Sequence, residues 1–184
     1  MQRRGFLYNS TICITCCACQ VACQSTNGLQ PGEFFRRVVT REGPGGRGVA
    51  FSGGCNHCAN PACVAACPTG AMYRDEELGV VLHDDGKCIG CGACVWNCPY
   101  GAVSLSATTG VSQKCDSCIQ RRSQGLQPAC VAACPMGALR WEGPEPPAGE
   151  QGWRQLQAPF LPDPAGTNPS TMARFTQGEE EERG

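Results

Sequence analysis

The sequence predicts an α+β chain of short strands, short helices and many loops, and three observations predict it. Glycine and proline supply 24 and 14 of the 184 residues, a fraction that favours loops over long regular elements. Sixteen of the 17 cysteines fall into four groups of four. Between the groups run short stretches of alternating apolar and polar residues that turn back on themselves.

The first element is a strand over Gly5 to Asn9. Arg3-Arg4-Gly5-Phe6-Leu7 matches the opening of a twin-arginine export signal, but cysteines follow where an apolar core and a cleavage site would have to stand. Cleavage would remove them, so Arg3 and Arg4 are expected to be surface charges flanking the strand, with no signal peptide. A second strand is expected over Phe35 to Arg41. Hairpins are expected from Ala71 to Arg74 with Val80 to His83, and from Ala102 to Ser106 with Val111 to Gln113. Their turns are Asp75-Glu76-Glu77 and Thr108-Thr109-Gly110.

The cysteine groups are Cys13, Cys16, Cys19 and Cys23; Cys55, Cys58, Cys63 and Cys67; Cys88, Cys91, Cys94 and Cys98; and Cys115, Cys118, Cys130 and Cys134. The first and third have the spacing C-x2-C-x2-C-x3-C of bacterial ferredoxins, in which three thiolates wrap one 4Fe-4S cubane and the fourth reaches its neighbour. Two-residue gaps let consecutive thiolates reach adjacent iron corners from one tight loop, and a helical turn carries the fourth away. Groups two and four widen the middle gap but keep the ending. Pro68, Pro99 and Pro135 directly follow the last cysteine of groups two, three and four and turn the chain there; group one has Gln24 instead. Gly90 and Gly92 flank Cys91 and bring backbone N–H groups close to sulfur.

This spacing predicts four 4Fe-4S clusters. Structural zinc takes two C-x2-C pairs at longer separation. Disulfides suit neither such short gaps nor an odd cysteine count. Cys17 stands apart as a small apolar filler and is not counted as a ligand. His57 is expected to be a rim histidine, with tuning of a cluster as the other reading, and His83 to lie on a strand surface. Lys87, Lys114, Arg121 and Arg122 either offset cluster charge or are simply solvated.

Aromatic residues make up only 7% of the chain, so a core of ordinary size is short of large side chains. The clusters are expected to stand in for them, which makes folding depend on iron. Net charge is -1 with no basic run interleaved with aromatics, which argues against nucleic-acid binding. No apolar stretch approaches the roughly 18 residues of a membrane span. No nucleophile-base pair, phosphate loop or flavin motif stands out, so the chain is expected to conduct electrons and not to catalyse.

Groups two and three lie close in sequence and form a natural two-cluster module, leaving one and four to pair; spacing alone leaves open the pairing of one with two and three with four. A double four-cluster domain is expected over 1–140, with an inner module at about 52–105 and an outer module at about 5–51 plus 106–140. Residues 141–175 read as an extended arm that packs on something or is disordered, and 176–184 as an acidic disordered tail.

Several motifs together resemble the iron-sulfur subunits of the dimethyl sulfoxide reductase type. They include Asn56-His57-Cys58 with Asn60-Pro61-Ala62-Cys63, Cys67-Pro68-Thr69-Gly70-Ala71-Met72-Tyr73, and Cys98-Pro99-Tyr100-Gly101-Ala102. Lys114-Cys115-Asp116, Cys134-Pro135-Met136 and Leu161-Pro162-Asp163-Pro164 extend the likeness along nearly the whole chain. The resemblance implies two fused ferredoxin-like modules, with groups exchanging fourth ligands one with four and two with three. The ligand sets would be Cys13, Cys16, Cys19 and Cys134; Cys115, Cys118, Cys130 and Cys23; Cys55, Cys58, Cys63 and Cys98; and Cys88, Cys91, Cys94 and Cys67. It further implies a molybdopterin catalytic subunit and a quinone-handling membrane anchor as partners, with the chain held peripherally at the membrane through them. Polysulfide, tetrathionate and formate enzymes, or a free polyferredoxin, are the alternatives.

Overall fold

A computed structural model describes residues 4–43, 46–142, 149, 151–158 and 160–175. Arg3 and the acidic end at 176–184 lie outside the described residues. The fold is α+β, with ten short strands and five short helices among the described residues.

A four-stranded sheet gathers the two ends of the described chain. Its centre is β1 (Gly5–Asn9), antiparallel to β8 (Leu139–Glu142) and parallel to β10 (Met172–Arg174), with β9 (Arg154–Gln155) at the edge. Phe6, Leu7 and Tyr8 are all buried, because β1 is covered on both faces and flanked by strands on both edges. The scarce aromatics concentrate here. Phe6 meets Trp141 edge-on at 4.7 Å, Tyr8 meets Phe51 at 6.2 Å and Phe175 at 6.5 Å, and Phe51 meets Phe160 at 5.4 Å. A conventional core therefore exists at this end of the molecule.

The antiparallel pair β2 (Arg36–Glu42) and β3 (Gly48–Gly54) packs beside the sheet, tied to it by hydrogen bonds from Tyr8 Oη and Ser10 Oγ to the Ala50 carbonyl at 2.7 and 2.9 Å. Hairpins β4 (Met72–Asp75) with β5 (Val80–His83) and β6 (Val103–Leu105) with β7 (Ser112–Lys114) form where the sequence predicts them. Their end of the molecule has a thinner core of Met72, Val81 and Val103 with Cys63 and Cys94.

Every helix carries or directly follows cysteines: α1 (Ala18–Thr26), α2 (Ala62–Ala65), α3 (Ala93–Asn97), α4 (Ile119–Ser123) and α5 (Ala129–Ala132). α1 runs three residues past Cys23, where Gln24 replaces the proline that stops the equivalent segments. α1 packs on α5, and α2 packs on α3.

Candidate iron-sulfur centres

The four cysteine loops repeat one backbone conformation. In each, the second residue of the first gap takes a positive φ: Thr15 at 53°, His57 at 43°, Gly90 at 66° and Ser117 at 63°. This bend aims backbone N–H groups inward. Gly90 N–H donates to Cys88 Sγ at 3.4 Å, and Ser117 N–H donates to Cys115 Sγ at 3.3 Å. Further along, Met72 N–H donates to Cys67 Sγ and Ala102 N–H to Cys98 Sγ, both at 3.4 Å. Cys17, with φ 61° at the N-cap of α1, occupies the place that Gly92, with φ 74°, takes at the N-cap of α3.

Groups two and four end in an identical run: Pro61-Ala62-Cys63-Val64-Ala65-Ala66-Cys67-Pro68 matches Pro128-Ala129-Cys130-Val131-Ala132-Ala133-Cys134-Pro135 residue for residue. Each folds as one helical turn after its proline, with Cys67 N–H and Cys134 N–H donating to Val64 and Val131 carbonyls at 3.1 Å.

Cysteines distant in sequence are brought together. Cys13, Cys16, Cys19 and Cys134 line one cavity, together with Cys17. Cys23 lies within the electrostatic reach of Cys130 and Cys118, and Cys115 within that of Cys55, Cys23 and Cys130. Cys58 and Cys63 are acted on by both Cys55 and Cys98. Cys94 and Cys67 belong to one apolar cluster, while Cys88 is half-buried and Cys91 exposed on the loop leading to α3. None of the seventeen cysteines is bridged. Among the described residues no three His, Cys, Asp or Glu side chains converge as closely as a single ion requires.

Burial, with the charge of neighbouring cysteines, pushes the thiols of Cys23, Cys58 and Cys63 up to about 12. Cys88 moves the other way, to about 6: its slight burial acts upward and is outweighed by the Ser112 N–H and hydroxyl and the Gly90 N–H. Sulfurs buried against one another are poorly placed as thiolates unless a cation joins them, and iron supplies that cation. The Asn56 Nδ2 and His57 Nε2 donors, in the loop between Cys55 and Cys58, are buried without a partner. Sulfide acceptors of a 4Fe-4S group fit donors left in this way. Sulfur donor sets, inward N–H groups and orphaned donors all suit that group.

Two histidines are placed differently from expectation. His57 is 0% exposed, its Nδ1 accepts from Val81 N–H at 3.2 Å, and its ring lies near Phe6 and Trp141. Burial, with Lys114 and Arg122 nearby, holds it well below its ordinary pKa, so it is a neutral interior residue and not a rim one. His83 is not on the strand surface either: Nδ1 pairs with Asp85 at 2.8 Å and Nε2 meets Ser112 Oγ at 2.8 Å. The basic residues divide. Lys87 is exposed and paired with Asp84 at 3.1 Å, whereas Lys114 is 6% exposed, its ammonium donating to the Val81 carbonyl and, at 2.8 Å, to that of Cys115.

The segment after 151 seals the group-two loop. Ser170 N–H donates to the Asn56 carbonyl at 2.9 Å and its hydroxyl to the His57 carbonyl at 2.8 Å, while Thr167 Oγ1 meets Tyr100 Oη at 2.8 Å. Gly5 permits this approach, since a Cβ there would lie 1.9 Å from the Ser170 carbonyl oxygen.

An α+β fold whose sulfurs and amides are arranged in this way defines a 4Fe-4S electron-transfer protein, and the family model for a 4Fe-4S dicluster domain matches residues 47–143. The chain is 39% identical over 150 residues to the probable anaerobic dimethyl sulfoxide reductase chain YnfG of Escherichia coli K12, covering 74% of this chain and 72% of that one. It is 42% identical over 142 residues to the thiosulfate reductase electron transfer subunit PhsB of Salmonella typhi, covering 73% of each. Protein NrfC of Escherichia coli K12 is 36% identical over 154 residues, covering 80% of this chain and 69% of the relative. The chain belongs to the iron-sulfur electron-transfer subunits of the dimethyl sulfoxide reductase type. No described helix is long and apolar enough to cross a membrane.

Proposed function

We propose that the chain holds four 4Fe-4S groups in two fused ferredoxin-like modules, and relays single electrons between a quinone-handling membrane anchor and a molybdopterin catalytic subunit. The inner module is residues 52–105 and the outer module 5–51 with 106–140, and the chain sits at the membrane through its partners. Cys13, Cys16, Cys19 and Cys134 hold the first group, and Cys115, Cys118, Cys130 and Cys23 the second. Cys55, Cys58, Cys63 and Cys98 hold the third, and Cys88, Cys91, Cys94 and Cys67 the fourth. The observation that carries this reading is Cys134, more than a hundred residues from group one in sequence, lining one cavity with Cys13, Cys16 and Cys19. The packing of α1 on α5 and of α2 on α3 supports the same exchange.

Each bound group supplies one reversible one-electron step. The chain's residues hold it by thiolates, direct N–H groups at those sulfurs to ease the added negative charge, and exclude water from the buried ligands. The test is anaerobic purification of the native complex, with iron and sulfide counting and identification of the co-purifying chains. About 16 irons per chain, from four cubanes, with a molybdopterin subunit bound is the expected result. About 12 irons or fewer defeats the count, and a free chain with full iron defeats the partner assignment.

A further inference from the structure

Arg36 opens β2 and is only 4% exposed, yet its guanidinium pairs with no carboxylate among the described residues. Its Nη1 donates to the Ser52 carbonyl at 2.9 Å and the Ser52 hydroxyl at 3.2 Å, and the guanidinium carbon lies 4.6 Å above the Phe6 ring. The same Ser52 hydroxyl stands 3.5 Å from Cys19 Sγ. The seat is tight: a Cβ on Gly54, opposite Arg36 in the β2–β3 ladder, would come within 3.3 Å of Nη2. A desolvated cation with only neutral oxygens and a ring around it is costly unless anions lie close by. The charges that act on it once the thiols are ionised are those of the Cys130, Cys115, Cys19 and Cys23 sulfurs.

We propose that Arg36 is a buried countercharge that sets the reduction potential of the group held by Cys23, Cys115, Cys118 and Cys130, together with that of the group reached by Cys19. This rests on the ligand sets proposed above. β2 packs on α1, and α1 carries Cys19 of the first set and Cys23 of the second, so both groups lie on the side of Arg36. Reduction adds one electron, with no bond made or broken, beside a fixed positive charge in a poorly screened interior. The charge therefore favours the reduced state. The guanidinium is suited to this because it stays charged when buried.

The test is a potentiometric titration followed by electron paramagnetic resonance on the anaerobically purified full-length protein, with iron and sulfide counted first. Cys118→Ser marks the transition of the second group. Arg36→Gln, which keeps a hydrogen-bond donor and removes the charge, is expected to disfavour reduction at that transition tenfold or more, about 59 mV for one electron. Arg36→Lys and Ser52→Ala keep the charge and are expected to stay within threefold of the parent. An unchanged second transition in Arg36→Gln overturns the proposal, and so does an equal shift in Arg36→Lys, which would assign the effect to packing. Iron lost in Arg36→Gln but retained in Arg36→Lys supports the charge requirement, and iron lost in both overturns it. If the unsubstituted protein already lacks iron at the second site, the ligand assignment has failed, and this is read before any Arg36 variant is made.

Discussion

Ser112 Oγ lies 2.8 Å from His83 Nε2 and is the link between that imidazole and Cys88, since the same oxygen stands 3.5 Å from Cys88 Sγ. The Ser112 amide N–H also points at Cys88 Sγ, at 3.5 Å. One residue thus sets an amide donor and a hydroxyl beside one sulfur, and the hydroxyl is held in place by a histidine that Asp85 holds in turn. Ser112→Ala keeps the amide and loses the hydroxyl. Its expected effect is to lower the potential of the group bound by Cys88 by roughly 30–60 mV, because a donor to sulfur stabilises the more negative, reduced state. Redox titration of that signal checks it, and an unchanged midpoint removes Ser112 from the tuning set.

Gly5→Ala places a methyl group 1.9 Å from a backbone oxygen, and neither strand at the centre of the sheet can yield cheaply. The expected cost is about 3 kcal/mol, with the arm displaced from the group-two loop. Urea unfolding reads the cost, and faster exchange of the Ser170 amide reads the displacement.

Cys17→Gly relieves a left-handed residue at a position where the matching loop already has Gly92. Stability is expected to rise by roughly 1 kcal/mol, with the iron content unchanged. A fall in iron would make Cys17 a ligand after all.

The raised thiols give the iron-free chain a pH dependence that the loaded chain lacks. Cys23, Cys58 and Cys63 titrate near about 12 in the fold against an ordinary 9.0. Between those values the unfolded chain loses protons that the folded chain keeps. Their contribution is therefore intact below pH 9 and is lost as pH rises toward 12. The melting temperature of chelated protein is expected to fall across that window, while loaded protein, with its thiolates already bound, stays level. A flat curve for the chelated protein counts against the burial assigned to these thiols.

Iron removal is also expected to act unevenly. The sheet of β1, β8 and β10 has Phe6, Tyr8, Trp141 and Phe175 to hold it, while the β4–β7 end has Met72, three valines and cysteines. Hydrogen exchange after chelation should lose protection across β4 to β7 first and retain it in β1. Simultaneous loss everywhere would mean that the clusters are the core of the whole chain, as the low aromatic content by itself suggests.

Local features were legible in the sequence: the strand at Gly5 to Asn9, both hairpins and the tight loops between the first cysteines of each group. The octapeptide shared by 61–68 and 128–135 was legible too, as a second signal of repetition beyond cysteine spacing. What sequence reasoning missed was nonlocal. β3 has glycine at three of its seven positions, which hides its period, and the three residues of β10 are a strand only because β1 lies beside them. Arg36 and Arg37 look alike as neighbours in sequence. The pleat turns the first into the interior and leaves the second exposed, over Phe34. His57 and His83 were misjudged for the same reason, since their burial depends on partners twenty or more residues away.

The parallel pairing of β1 with β10 has a temporal consequence. Every cysteine precedes β10 in the chain, so a ribosome completes all four loops before it makes the segment that latches over one of them. Until β10 is made and pairs with β1, the carbonyls of Asn56 and His57 lack the Ser170 donors that close the Cys55–Cys58 loop.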